Sequence, residues 1–126
     1  MRTIIISAGD IAATATLKDN PTADAVWKAL PLKARANTWG DEIYFSIPVE
    51  VKKADDAGDI VPMGALAYWP PGKAFCIFFG RTPASRNGEI RAASAVNVFG
   101  AVEGDATVFR KVSDGETIKV DKAEGK

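Results

Sequence analysis

The sequence predicts a mainly β fold, a closed antiparallel barrel with one or two short helices. About seven short segments have the composition of strands and are bounded by turn residues, and one or two others have helical spacing. No repeat, linker or low-complexity segment divides the 126 residues. We therefore expect a single domain over residues 1–121 and a frayed C-terminal tail over 122–126. Closure of the barrel would also remove exposed strand edges.

The first third of the chain predicts a hairpin followed by a helix. Thr3–Ser7 and Ile11–Leu17 are rich in β-branched residues and flank a short Gly-Asp turn. Asn20 is a candidate helix cap because a proline follows it and apolar residues then recur at helical spacing as far as Pro31. Trp27 lies on the apolar face of this helix, so we expect it to pack in the core.

The remaining strands are predicted from alternating or continuous apolar stretches bounded by turns. These strands are Glu42–Val51, Gly64–Trp69, Ala74–Gly80, Ala95–Val102 and Glu116–Asp121. The polar segments 52–63 and 81–89 are predicted as loops, and 104–111 is at most weakly helical.

Charge balance and missing residue types exclude several classes of function. Sixteen Lys and Arg balance sixteen Asp and Glu without a basic run, so neither nucleic acid nor a membrane surface is an expected partner. The absence of His and the single Cys exclude histidine-based catalysis, histidine metal sites and a disulfide within the chain. No metal or cofactor is predicted. Near the start of the chain only Ile4-Ile5-Ile6 is continuously apolar, which is too short for a signal peptide, so we expect a cytoplasmic protein.

Two motifs that could carry chemistry are interpreted as structural. Cys76 lies within an apolar run, where burial raises a thiol pKa and blunts its reactivity. Asp41 and Glu42 are adjacent on a predicted strand, so their side chains point to opposite faces and do not act together. No catalytic residue is predicted.

The density of aromatic residues indicates a binding surface. The strand Ala74–Gly80 is apolar on both faces. One face meets the barrel interior, and the other needs either a cover or a ligand. A small molecule or an extended peptide would fit such a groove, and so would a second copy of the chain in a homodimer.

Three stretches together resemble a known family. Asn37–Phe45, Gly64–Ser85 and Ala93–Gly100 are similar to the small prokaryotic cyclophilin-like proteins of unassigned function. The resemblance implies a cyclophilin-like closed β-barrel. In addition, 98–104 is similar to the closing motif of the true cyclophilins, which are proline cis/trans isomerases, and Phe78-Phe79 resembles their Phe-Phe strand.

The same resemblance bears on catalysis. True cyclophilins carry Phe-His-Arg where this chain has Tyr44-Phe45-Ser46, and their arginine stabilises the twisted prolyl bond. Ser46 has no charge to offer that bond. This position therefore argues against isomerase activity. The alternative function that the resemblance implies is a prolyl isomerase, or a subunit of a small-molecule carboxylase or hydrolase.

The function predicted first is a binding module for a small molecule or an extended peptide in an aromatic groove. Alternation along the strands, with the faces assigned by the resemblance, gives the candidate groove residues: Tyr44, Ser46, Trp69, Pro70, Ile77, Phe79 and, at the rim, Arg81. A structural homodimer through the same surface is the third possibility.

Overall fold

The computed structural model describes residues 2–123 and contains ten β-strands, one α-helix and two 3₁₀ turns. The strands are β1 (Thr3–Ala8), β2 (Ile11–Leu17), β3 (Leu32–Arg35), β4 (Asn37–Thr38), β5 (Glu42–Ser46), β6 (Gly58–Val61), β7 (Ala65–Trp69), β8 (Ala74–Phe78), β9 (Ile90–Val102) and β10 (Thr117–Lys122). The helix is α1 (Pro21–Ala29), and the 3₁₀ turns span Pro70–Gly72 and Ala106–Lys111. The predicted mainly β fold is confirmed.

The N-terminal hairpin and the capped helix are found where the sequence places them. The Asn20 side chain accepts a hydrogen bond of 2.9 Å from the backbone N–H of Ala23, and the helix ends just before Pro31. Trp27 differs from the expectation, because it is only half-buried. One side of its indole packs against the core, and the Lys122 ammonium lies 4.7 Å from the ring centroid. The exposed side is thus covered by a cation rather than by core residues.

All strand pairs are antiparallel, and the neighbours follow the order β3-β10-β1-β2-β9-β7-β8-β5-β4, with β6 paired to β9. In the described residues no hydrogen-bonded ladder joins β3 to β4, the two ends of this order. They are instead consecutive in the chain, linked by Ala36, whose N–H donates to the Glu116 carbonyl. The expected closure is therefore made by the continuous chain and not by backbone pairing.

The barrel interior holds the main hydrophobic core. Ile43 and Phe45 of β5 point inward, opposite Ile77 and Phe75 of β8. The rings of Phe45 and Phe75 stack at 5.0 Å, and Phe99 of β9 meets Phe75 edge-on at 5.2 Å. Stacked and edge-on aromatic pairs of this kind add to the stabilisation from area burial.

A second hydrophobic cluster lies on the outer face of β5, β8 and β7. Its buried residues are Val61, Ala65, Ala67, Ala74, Cys76, Phe78, Ile90, Ala92 and Val96. The first half of β9 extends beyond the barrel, pairs with β6 and covers this face. This is the cover that the doubly apolar strand β8 requires.

Several boundaries differ from the predictions. β6 lies in a segment predicted as a loop, because Gly58 and Asp59 make this exposed strand polar. β3 and β4 were also not predicted, since each is too short to show a period. β5 ends at Ser46, before Pro48. β10 ends at Lys122, one residue beyond the prediction, and 124–126 of the predicted tail lie outside the described residues.

Candidate functional site

A pocket of about 250 Å³ opens beside the outer hydrophobic cluster. Three elements form its walls: the β4–β5 hairpin, the end of β7 and the first half of β9. The residues that line it are Trp39, Glu42, Tyr44, Trp69, Ala92, Ala93 and Val96. We call it the aromatic pocket.

The β4–β5 hairpin supplies the first wall. Asn37 pairs with Tyr44, and the Trp39 N–H donates to the Glu42 carbonyl at 2.9 Å, so the side chains of these residues lie on one face. Gly40, inside the connection, has a φ of +62°, which disfavours other residues. The tight connection therefore places an indole and a carboxyl group next to each other.

Trp69 forms the second wall and is held from two sides. Its indole Nε1 donates a hydrogen bond of 2.7 Å to the Ser94 hydroxyl on β9. The ring lies over Gly72, where an added Cβ would come within 2.8 Å of it. Only glycine therefore lets the indole take this position. The third wall is made of small side chains, Ala92 and Ala93, which leave the space between the aromatic rings open.

Glu42 is the acidic group of the pocket and is only 6% exposed. Burial disfavours its charged form and raises its pKa to about 7, and a hydrogen bond with the Cys76 thiol partly opposes this shift. Burial likewise raises the pKa of Cys76 well above its ordinary value, so that thiol stays neutral, as the sequence predicts. A carboxyl group that titrates near neutrality can accept a hydrogen bond, donate one or exchange a proton.

A family model for cyclophilin-like proteins matches residues 2–121. The chain belongs to the cyclophilin-like family. This confirms the resemblance that was found from three stretches of the sequence. The comparison with curated proteins gives no match.

Two solved structures show the same fold as this cyclophilin-like protein. The hypothetical protein AF2241 from Archaeoglobus fulgidus is 41% identical, with a TM-score of 0.81 over 97% of this chain and 95% of the other. The structure of McbB in complex with tryptophan has a TM-score of 0.72 at 17% identity, over 98% of this chain and 45% of McbB. At that identity the likeness to McbB concerns the fold alone.

Two of the seven predicted groove residues of this cyclophilin-like protein, Tyr44 and Trp69, line the pocket. Ser46 and Pro70 do not line it, and the Ser46 hydroxyl donates to the Gly72 carbonyl at 3.1 Å. Arg81 is exposed and borders a different depression, together with Asp41.

Ile77 and Phe79 were predicted on the outer face with Tyr44, and the strand register shows that this prediction is wrong. Ile77 pairs with Ile43, so both point into the barrel, where Ile77 and Phe79 are almost fully buried. The residues that share the outer face with Tyr44 are Cys76 and Phe78. Because β8 is apolar throughout, its sequence alone does not distinguish the two faces, and a shift of one residue exchanges them.

Five of the seven residues that line the pocket were not among the predicted ones: Trp39, Glu42, Ala92, Ala93 and Val96. For Glu42 the sequence does hold a signal, because alternation along β5 puts it on the face of Tyr44. Its carboxyl group was read as half of an acidic pair with Asp41. The structure separates the pair as the sequence predicts, since Asp41 Oδ2 lies 3.1 Å from Arg110 Nη2, outside the pocket.

The part of the chain that is described, residues 2–123, contains no group of three or more Cys, Asp or Glu residues arranged to hold a metal ion. Within the same residues, no helix is both long enough and apolar enough to span a membrane.

Proposed function

We propose that this cyclophilin-like protein is a binding module whose aromatic pocket holds a small molecule. The observation that carries the proposal is the buried Glu42 carboxyl group among Trp39, Tyr44 and Trp69. An apolar cavity with one well-placed polar group is the ordinary form of a small-molecule site. Burial of a carboxyl group costs stability in the absence of a partner, so its presence here favours a functional role.

The walls of the pocket support the proposal because they are fixed before any ligand arrives. The hydrogen bond to Ser94 and the contact with Gly72 hold the Trp69 indole in place. The backbone of the β4–β5 connection is held as well, since the Asp41 N–H donates to the Arg81 carbonyl at 2.8 Å. Little conformational entropy is then lost on binding.

The size of the pocket favours a small molecule over a peptide. Its volume of about 250 Å³ is below the roughly 300–1,000 Å³ of pockets for drug-sized ligands. A molecule with one or two rings would fill it. The complex of McbB, a protein of the same fold, with tryptophan supports an occupant of this size.

Prolyl isomerisation receives no comparable support. Ser46, which stands at the position matched to the isomerase arginine, is exposed, and its hydroxyl is bonded to the Gly72 carbonyl. It lies outside the pocket lining. Ser46 itself therefore offers no charged donor to stabilise a twisted prolyl bond.

The three tryptophans of the chain make a direct test possible. Trp39 and Trp69 line the pocket, whereas Trp27 packs beside Lys122 and serves as an internal control. We expect a set of one-ring and two-ring aromatic compounds, titrated into ¹⁵N-labelled protein, to include some that shift the indole N–H signals of Trp39 and Trp69 and leave that of Trp27 unchanged.

Two results would contradict the proposal. In the first, no compound moves either pocket indole signal. In the second, all three indole signals move together, which indicates weak association over the whole surface. Sedimentation of the free protein tests the homodimer alternative, in which the pocket face would be covered by a second copy and the pocket signals would depend on protein concentration.

A further inference from the structure

The Glu42 carboxylate lacks an ordinary hydrogen-bond donor. Within residues 2–123 no N–H or O–H group donates to it; the Cys76 thiol interacts with it but also lies 3.9 Å from the Ala74 carbonyl as a donor. Among the same residues no enclosed side-chain oxygen is left without a partner, so the Glu42 oxygens open onto the pocket. Thiols are weak donors. The residue is nevertheless 94% buried, and the space next to it is the aromatic pocket. A carboxyl group in such a place either keeps its proton, as the raised pKa of Glu42 indicates, or needs a strong donor or a positive charge to be stable in its ionised form.

The remaining walls favour a positive charge. Aromatic rings carry negative electrostatic potential on their faces and attract organic cations, and three such rings surround the space. Among the described residues that line the pocket, none is Lys or Arg. Arg110 pairs with Asp41, and Arg91 pairs with Asp59 and Glu89. Arg81 is exposed and borders a separate depression beside Asp41.

We propose that the aromatic pocket binds a small organic ammonium ion with at least one N–H on its charged nitrogen, and that Glu42 accepts this N–H. The inference rests on the proposed function and narrows it to one class of ligand. A quaternary ammonium would satisfy the rings but would leave the carboxylate without a donor. A neutral ring compound would bring no positive charge to the rings or the carboxylate, and an anionic one would be repelled by the carboxylate.

Four compounds of the same ring size separate these possibilities: benzylamine, benzyltrimethylammonium, benzyl alcohol and benzoate. Dissociation constants are measured from the Trp39 and Trp69 indole signals at pH 8. We expect benzylamine to bind about tenfold more tightly than the other three, which corresponds to one charge-assisted hydrogen bond. The preference for benzylamine over benzyl alcohol is expected to disappear in Glu42→Gln. It should persist in Asp41→Asn, which removes the neighbouring carboxylate outside the pocket.

The pH dependence of benzylamine binding to the unaltered protein tests the same role of Glu42 without relying on the folding of a variant. The titratable groups beside Glu42 are the Cys76 thiol and the Tyr44 phenol. Benzylamine remains protonated between pH 5.5 and 8. Glu42, by contrast, is mostly ionised at pH 8 and takes up a proton as the pH falls to 5.5, because its pKa is about 7. The affinity for benzylamine should therefore fall about tenfold or more from pH 8 to 5.5, and that for benzyl alcohol should not fall.

The outcomes separate the two proposals. If benzyl alcohol or benzoate binds as tightly as benzylamine, or if the preference survives in Glu42→Gln, the amine assignment is overturned while the pocket remains a binding site. Equal binding of benzyltrimethylammonium overturns the role of the N–H. If no compound of the series or of the wider aromatic set moves either pocket indole, the proposed function fails, and the amine assignment fails with it.

Discussion

Glu42 carries a carboxyl group whose burial affects the stability of the fold as well as the pocket. Its pKa rises from an ordinary 4.5 in the unfolded chain to about 7 in the folded protein. The folded state therefore binds this proton more tightly than the unfolded state does. The contribution to stability is fully present below pH 4.5 and is lost as the pH rises through about 7.

The resulting prediction concerns the free energy of unfolding of Glu42→Gln. Between pH 4.5 and 8 the unaltered protein should lose about 3 kcal/mol relative to this variant, because glutamine does not ionise. Urea unfolding at several pH values measures the difference. Asp41→Asn is the matched control and should keep the pH dependence of the unaltered protein. Parallel pH profiles for the protein and for Glu42→Gln would show that the carboxyl group is not buried as described.

The register of the strands explains which parts of the site were predictable. Alternation on β5 correctly grouped Glu42 with Tyr44, because one of its faces is plainly apolar and the other is not. It did not show that Glu42 is buried, since the cover comes from the first half of β9, which is distant in sequence. For Ile77 the two faces of β8 were indistinguishable, and its face was assigned the wrong way round.

The β4–β5 connection is the element on which the geometry of the pocket depends. Gly40 has a φ of +62°, and an added Cβ would lie 2.9 Å from both the Arg81 carbonyl oxygen and Pro83 Cδ. A side chain there must push the connection away from the loop that follows β8. Trp39 directly precedes Gly40, and Glu42 follows it by two residues and pairs with Trp39 through the backbone, so both would move.

We therefore expect Gly40→Ala to cost about 2–3 kcal/mol of stability and to weaken ligand binding at least tenfold. Gly104→Ala is the matched control, because Gly104 has a φ of +77° with nothing within 4 Å of its added Cβ. It should cost about 1–2 kcal/mol through backbone strain alone and leave binding unchanged. Denaturant titration and the indole signals provide the two measurements. Equal losses of binding in both variants would mean that the connection does not position the pocket.

Residues 2–123 form one sheet with a hydrophobic cluster on each side, together with the helix α1. The barrel and its inner core were predictable from short apolar strands and turn residues. The outer layer was not, because β6 is polar and exposed and is held by pairing with β9 rather than by its own sequence. The closure through Ala36 was not predictable either, because it joins β3 and β4, two strands that are too short to show a period.

This architecture predicts how the protein responds to reagents that act on metals and thiols. The residues described hold no cluster of metal ligands, and the single cysteine is buried. Far-ultraviolet circular dichroism should therefore show mainly sheet and one cooperative melting transition that EDTA and reductants leave unchanged. A mainly helical spectrum, or a lower melting temperature in EDTA, would contradict the account.

The most direct measurement of the central claim is a set of intermolecular nuclear Overhauser effects between benzylamine and the labelled protein. If the aromatic pocket is the ligand site, the ring and methylene protons of benzylamine should give cross-peaks to Trp39, Tyr44 and Trp69 and none to Trp27. Cross-peaks that are confined to Trp27, or to the exposed side chains of Ile60 and Met63, would place the ligand elsewhere and contradict the account.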